Sequence, residues 1–438
     1  MRPKMRIFHL AAGAADLYCG ACQRDAALLQ SLANLGHAVE AVALYTPLRA
    51  DEDLIPPSCP IFYGGVNVYL QQMLPVFRWL PAWLDRFLAS PALLRLLSSF
   101  AIETRPQRLG ALTVSILAGR EGRQAKELRR LISYLANRPR PDVISLSNSL
   151  LSGIAPALKE EFAVPIICSV QGEDLFVEAL GEPFRSQARR LLRRHAKQID
   201  LFIAPSRFHA DHMVELLAVP PRKMAVVQSG VAIEKFRRSR PPPEHPLRVG
   251  YLAAITPAKG LDTLVNAMAP LAETNPDSVR LHIAGKVLNR GYWRRICRQL
   301  RQTRLGSLTH YAGELSSAAK VAFLQNLSAF VAPSRIPEPR ALAALEALAA
   351  GVPIVAPRLG VFPEIIKMTN GGMLYSADDA ADLRRVLQNL LGSGELLRQM
   401  AATAAEAISR HFSLSRMAEE FADLCARSAA QKPPLLVR

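Results

Sequence analysis

The strongest constraint on what this chain can fold into is a repeated alternation of short apolar runs with helical segments. It is set up once, interrupted, and set up again. The run MRIFHLAA leads through a turn-rich stretch with Gly13 and Gly20 into a helical period that stops at Gly36, and then into a second apolar run, AVEAVAL. DVISLS, VPIICSV, DLFIAPS and KMAVVQS extend the series, with helical segments between them that include a basic one from Arg185 to Lys197. Such alternation predicts parallel strands in a sheet whose two faces are covered by helices. Residues 237–246, RRSRPPPEHP, place three consecutive prolines among charges, which suits neither a helix nor a central strand, so they are read as an interdomain linker. Beyond them LRVGYLAAI, VRLHIAG, LTHYAG, AFVAPS, VPIVAP and GGMLYS restart the pattern. The prediction is an α/β chain with two doubly wound, Rossmann-like domains, 1–236 and 247–413, facing a central cleft bordered by the carboxyl ends of both sheets. Residues 414–438 are read as a C-terminal helix returning towards the first domain, with a frayed tail.

A length of 438 residues suits two domains of this kind, and a formal charge of +17 attracts anions, whether phosphorylated small molecules, nucleic acid or acidic membranes. Six cysteines are too few for a disulfide framework. Nothing at the start reads as a cleavable signal peptide, so a cytoplasmic protein is expected. Residues 74–100, LPVFRWLPAWLDRFLASPALLRLLSSF, are broken by Arg78, Asp85, Arg86 and Arg95 and do not form a spanning helix. They read either as two amphipathic core helices or as a peripheral membrane contact. The basic segment FRSQARRLLRRHAKQ has leucines and alanines at helical spacing, which predicts one core face and one solvated face. No nucleic-acid motif accompanies it, and no nucleic-acid partner is expected.

The segment PSRIPEPRALAALEALAAGVPIV carries two glutamates, Glu338 and Glu346, eight positions apart. Pro339 suggests that Glu338 caps a helix, which would put the two carboxylates about 12 Å apart along one face. Carboxylates accept hydrogen bonds from sugar hydroxyls, and a helix start suits phosphate oxygens. The alternative is one capping glutamate and one solvated glutamate on an alanine-rich helix.

At this point the sequence resembles the retaining glycosyltransferases of the GT4 family, glycosyl transferases group 1, which have the GT-B architecture. The resemblance rests on Pro333, Ser334, Glu338, Glu346, Gly351, Val352, Pro353, Ile354 and Val355 in that order, followed by GVFPEII. LGHAVEAVAL, RPDVISLSNS, IAPSRFHADHM, VVQSGVAIEKF, GYLAAITPAKGLDTLVNAM and HIAG keep the family's order over most of the chain. It implies that Glu338 contacts a donor sugar, Glu346 holds a nucleotide ribose, and Lys259, in TPAKGLD, binds the donor diphosphate. Ser334 and Gly20 complete the donor side. Two positions depart from the family: Ala254 stands where a partner arginine is usual, and Pro339 and Arg340 where Phe-Gly is usual. Lys286, Arg335, Arg340 and Arg358 are the candidate replacement cations.

On the first domain, QGEDLF follows the strand VPIICSV where relatives carry His-Gly. Gln171 would hydrogen-bond a sugar or acceptor hydroxyl, and Asp174 would either do the same or cap a short helix. Arg24 and Asp25, just inside the first helix, would reach the cleft or sit on the helix surface. Cys19 and Cys22 form a lone Cys-x-x-Cys without a second pair, read as packing thiols. FYGGVNVYL reads as a second cleft loop or a surface hairpin. The resemblance thus implies metal-independent, cofactor-free retaining transfer from a nucleotide sugar to a carbohydrate or lipid-linked acceptor. The catalytic set would be Glu338, Lys259 and Gln171, with Asp174 and Asp25 on the acceptor side. The second hypothesis is a non-catalytic GT-B protein that binds an anionic sugar ligand. A third is a nucleotide-sugar epimerase, which predicts conversion of donor without an acceptor.

Overall fold

The computed structural model describes residues 4–12, 20–44, 106–238 and 245–431. Gly13, Cys19, the FYGGVNVYL turn, the 74–100 segment, the three consecutive prolines of the linker and residues 432–438 lie outside them. The chain divides into two compact units, one of Met1–Pro205, His209–Val227 and Ala418–Arg438 and one of Ser206–Phe208 and Gln228–Met417.

Every apolar run identified in the sequence is a strand. The first unit holds β1 (Arg6–Ala11), β2 (Ala38–Ala43), β3 (Val143–Leu146), β4 (Ile166–Ser169), β5 (Leu201–Ala204) and β6 (Met224–Val226). All are parallel, in the order β2-β1-β3-β4-β5-β6. The second unit holds β7 (Leu247–Leu252), β8 (Val279–Ala284), β9 (Thr309–Tyr311), β10 (Ala329–Val331), β11 (Ile354–Pro357) and β12 (Gly372–Tyr375), also parallel, in the order β12-β11-β10-β7-β8-β9. In each sheet the chain builds outward to one side and then returns to build the other. The order therefore reverses between β1 and β3 in the first unit and between β7 and β10 in the second. Open α/β sheets bind ligands at such reversals, beyond the carboxyl ends of the strands.

Alternate strand residues feed two packing layers, as a sheet covered on both faces requires. In the second unit Val249, Tyr251, Val331 and Val355 join the layer with Leu264 and Leu387, while Phe330, Ile354 and Ala356 join the layer with Leu345 and Ile408. The helix Gly20–Asn34 ends at Gly36, whose φ of +85° is a left-handed stop. The basic helix Phe184–Ala196 buries Ala188, Leu192, His195 and Ala196 and pairs Arg185, Arg189 and Arg194 with Glu182, Glu178 and Glu121, so its cationic face is largely neutralised from within.

Candidate active site

The second unit builds its site from the loops that follow β7 and β10, on either side of the reversal. After β7 a short turn, Pro257–Lys259, leads through Gly260 into the helix Leu261–Thr274. Gly260 has a φ of +65°, and a β-carbon there would stand 1.8 Å from the carbonyl oxygen of Pro333, so only glycine lets the two loops approach this closely. The approach brings Lys259 Nζ to 2.7 Å from Glu338 Oε1, with both side chains mostly covered.

Arg335 locks this arrangement. Its guanidinium grips both oxygens of Asp262 at 2.8 and 3.0 Å and also donates to Asp378, Thr263 and the carbonyl of Pro257. Its backbone N–H donates to Ala258, and Asp262 also accepts from the Tyr292 hydroxyl at 2.6 Å. Burial works against the Asp262 charge, but the hydrogen bonds from Arg335 and Tyr292 hold its carboxyl below the usual range. The loop carrying Lys259 is thereby tied to the loop carrying Glu338. Arg335 is spent on structure, which removes it as a replacement for the arginine absent at Ala254.

The expected cap is corrected. The helix starts at Leu342, with Ala341 at a left-handed φ of +49° before it, so Glu338, Pro339 and Arg340 lie in a loop. The Glu338 carbonyl accepts from Val361 N–H, and the Pro339 carbonyl accepts from the Ser206 hydroxyl, so neither begins a helical ladder. The eight-residue spacing of the glutamates is therefore not a helical rise. Glu346 is on the helix, and its carboxylate pairs at 2.5 Å with Lys320, a buried residue of the helix Ser317–Gln325 that sequence reasoning did not single out. Ser334 is buried, and its hydroxyl donates to the Ile336 carbonyl, which shapes the loop.

Among the other candidate cations, Lys286 is exposed and 3.6 Å from Glu314. Arg358 is exposed just beyond β11, two residues before Gly360. Gly360 has a φ of +61°, and a β-carbon there would come within 2.7 Å of the Glu338 backbone.

The first unit gathers a buried polar cluster at its own reversal. Arg24 and Asp25 are 3 % and 2 % exposed, which overturns the helix-surface reading. Asp25 accepts from Arg24 at 3.2 Å and from the Gln171 side-chain amide at 3.0 Å, and its other oxygen is 3.7 Å from His9 Nε2. His9 points from β1 to the Ser145 hydroxyl of β3 at 3.0 Å. Gln171 also donates to the Ser147 carbonyl at 2.7 Å. Glu173 accepts the backbone N–H groups of Ser149 and Gln171, tying the loops after β3 and β4 together. Burying this many charged groups is costly unless they are mutually satisfied, and such clusters concentrate at functional sites. Asp174 is not a cap, because Gly172 holds that position. Its carboxylate pairs with His212 at 3.2 Å. Gly20 is the first residue of its helix and Cys22 is buried. Among the described residues no group of three or more His, Cys, Asp or Glu could hold a metal ion, and no helix is long and apolar enough to cross a membrane.

Comparison with known proteins decides what these two sites belong to. Residues 20–230 match the family model of the glycosyl transferase 4-like domain, and residues 232–407 match that of the glycosyl transferases group 1. The chain belongs to the GT4-like glycosyltransferases. The glycosyltransferase is 24 % identical over 299 residues to a glycogen synthase of Mycobacterium tuberculosis, a match that covers 67 % of this chain and 71 % of the relative. It is 29 % identical over 212 residues to an MMP alpha-(1->4)-mannosyltransferase of Mycolicibacterium hassiacum, covering 48 % of this chain and about half, 49 %, of that protein. Its fold is similar to that of a sucrose-phosphate synthase from Thermosynechococcus elongatus, with a TM-score of 0.69 at 16 % identity, covering 97 % of this chain and 99 % of the other. Anabaena HepE in complex with UDP gives a TM-score of 0.68 at 15 % identity, covering 97 % and 100 %. The glycosyltransferase is thus a two-domain GT-B protein that transfers sugar from a nucleotide sugar.

Proposed function

We propose that the glycosyltransferase moves a hexose from a nucleoside diphosphate to a carbohydrate or lipid-linked acceptor hydroxyl, with retention at the anomeric carbon and without a metal. The observation that carries this reading is the convergence of Lys259 and Glu338 at the β7/β10 reversal, with Glu346 on the helix that follows. Glu346 takes the ribose hydroxyls, Lys259 turns from Glu338 to the diphosphate, and Glu338 receives the sugar hydroxyls. Each carboxylate is held by a lysine, which positions both for a donor. Catalysis then rests on positioning and on neutralising the departing phosphate. The Lys259 ammonium supplies that charge at the leaving oxygens, and Arg358, two residues before the Gly360 that packs on the Glu338 backbone, does the work of the arginine absent at Ala254. Gln171, held by Asp25 and Ser147, and Asp174 serve the acceptor.

The test is a panel of nucleotide sugars, with donor hydrolysis and transfer measured with and without EDTA. Donor consumption that yields an α-configured product from an α-configured donor, unchanged by EDTA, is the expected result. A chelator-sensitive reaction or an inverted product contradicts it. A second reading, a sugar-nucleotide-binding protein without turnover, is favoured by Ala254 together with the commitment of Arg335 to Asp262 and Asp378. It predicts thermal stabilisation by a donor with no hydrolysis.

A further inference from the structure

The helix Arg290–Arg301, RGYWRRICRQLR, buries Tyr292, Ile296 and Leu300 against its domain and contains no acidic residue. Arg290, Arg294, Arg298 and Arg301 follow one another at intervals of four, four and three, so they form a row on the face opposite the core. All four are exposed, and among the described residues none of them meets a carboxylate. The other basic helix, Phe184–Ala196, shows the contrast, since three of its arginines have glutamate partners. Like charges at these intervals repel, and Arg290 in the first turn opposes the helix dipole, while Arg298 and Arg301 in the last turn suit it. No acidic residue of the helix offsets the repulsion along the row, which leaves the four guanidiniums available to anions from outside the chain.

The surroundings of the row indicate the kind of partner. Trp293 lies between the core face and the arginines and packs on Tyr311 with ring centroids 4.6 Å apart. Tyr311 is 37 % exposed, and Leu288, just before the helix, is 57 % exposed. A convex row of guanidiniums about 16 Å long, flanked by amphipathic rings and an exposed leucine, matches the interface of an acidic bilayer. There, arginines meet lipid phosphates and aromatic rings sit at headgroup level. We propose that this face docks the protein on an anionic lipid bilayer. It involves none of residues 74–100 and is independent of the catalytic assignment.

The experiment is co-sedimentation of the full chain with vesicles of phosphatidylglycerol and phosphatidylcholine, against phosphatidylcholine alone. The variants are Arg294→Glu/Arg298→Glu/Arg301→Glu, the same triple change to Gln, and Arg190→Glu on the other basic helix. The wild type and Arg190→Glu bind the acidic vesicles and release them in high salt. The glutamate variant binds them about tenfold less or worse, with the glutamine variant between. The glutamine variant removes the repulsion along the row and keeps the melting temperature near that of the wild type, so its loss of binding is not a loss of fold. Should the glutamate variant misfold, the glutamine variant alone decides. Equal binding by the triple variants and the wild type overturns the proposal, as does equal binding of neutral vesicles. A duplex DNA that outcompetes the vesicles on this face overturns it too.

Discussion

Each of the two glutamates is held by a lysine far from it in sequence, Glu338 by Lys259 and Glu346 by Lys320. Glu346→Ala should weaken binding of a nucleoside diphosphate about tenfold or more, the scale of a lost charged hydrogen bond, measured by calorimetry. Glu338→Gln should lower kcat much more than nucleotide affinity, because it removes a contact to the sugar alone. Equal, mild losses in both variants would contradict the division of roles. Lys259, Glu338 and Glu346 were visible in the sequence because each sits in a local motif. Lys320 was not, and Arg335 stood out only as a candidate diphosphate cation, since their roles come from pairing with residues 26 and 73 positions away. The same limit hid His9, which reads as one residue of an apolar strand, and left Arg24 and Asp25 open between the cleft and the helix surface. Charge in a helix implies solvent unless its partners, here Gln171 and Ser169, are known.

At the scale of elements, the apolar runs and the helical segments between them located the twelve strands of the described residues, because burial on both sheet faces leaves unbroken apolar runs. The start of the Glu346 helix was misplaced by three residues, because Pro339 is an ordinary helix-start signal and nothing local shows that Val361 and Ser206 take the carbonyls that would begin the ladder. What sets the site is the tight approach of loops, and Gly260 is its narrowest point. Gly260→Ala forces a side chain into the left-handed region and onto the Pro333 carbonyl. It should cost at least about 1–3 kcal/mol in denaturant unfolding. It should also lower kcat, because Lys259, its immediate neighbour, moves with it. Gly181→Ala, where a β-carbon would meet nothing within 4 Å, is the control and should change neither.

Across the whole molecule, stability depends on pH through histidines that the fold keeps neutral, one in each unit. Burial pushes His195 down from its usual value, with Arg194 adding to the effect and the Leu117 carbonyl opposing it. Burial also lowers His282, helped by Arg248, His310 and Arg280. Because both native values lie below the unfolded one of about 6.5, the unfolded chain takes up protons first as the medium is acidified. Stability is therefore full above that pH, falls as pH drops below it, and stops falling from this cause once the native imidazoles are themselves protonated. A second decline begins nearer pH 4, where the unfolded chain protonates Asp262 before the native ion pair with Arg335 gives way. Denaturant unfolding across pH 8 to 5 measures the first decline. His282→Gln should reduce its slope while leaving the loss below pH 4 in place. The same slope in the wild type and in a His195→Gln/His282→Gln variant would show that the charge balance of these two residues does not set it.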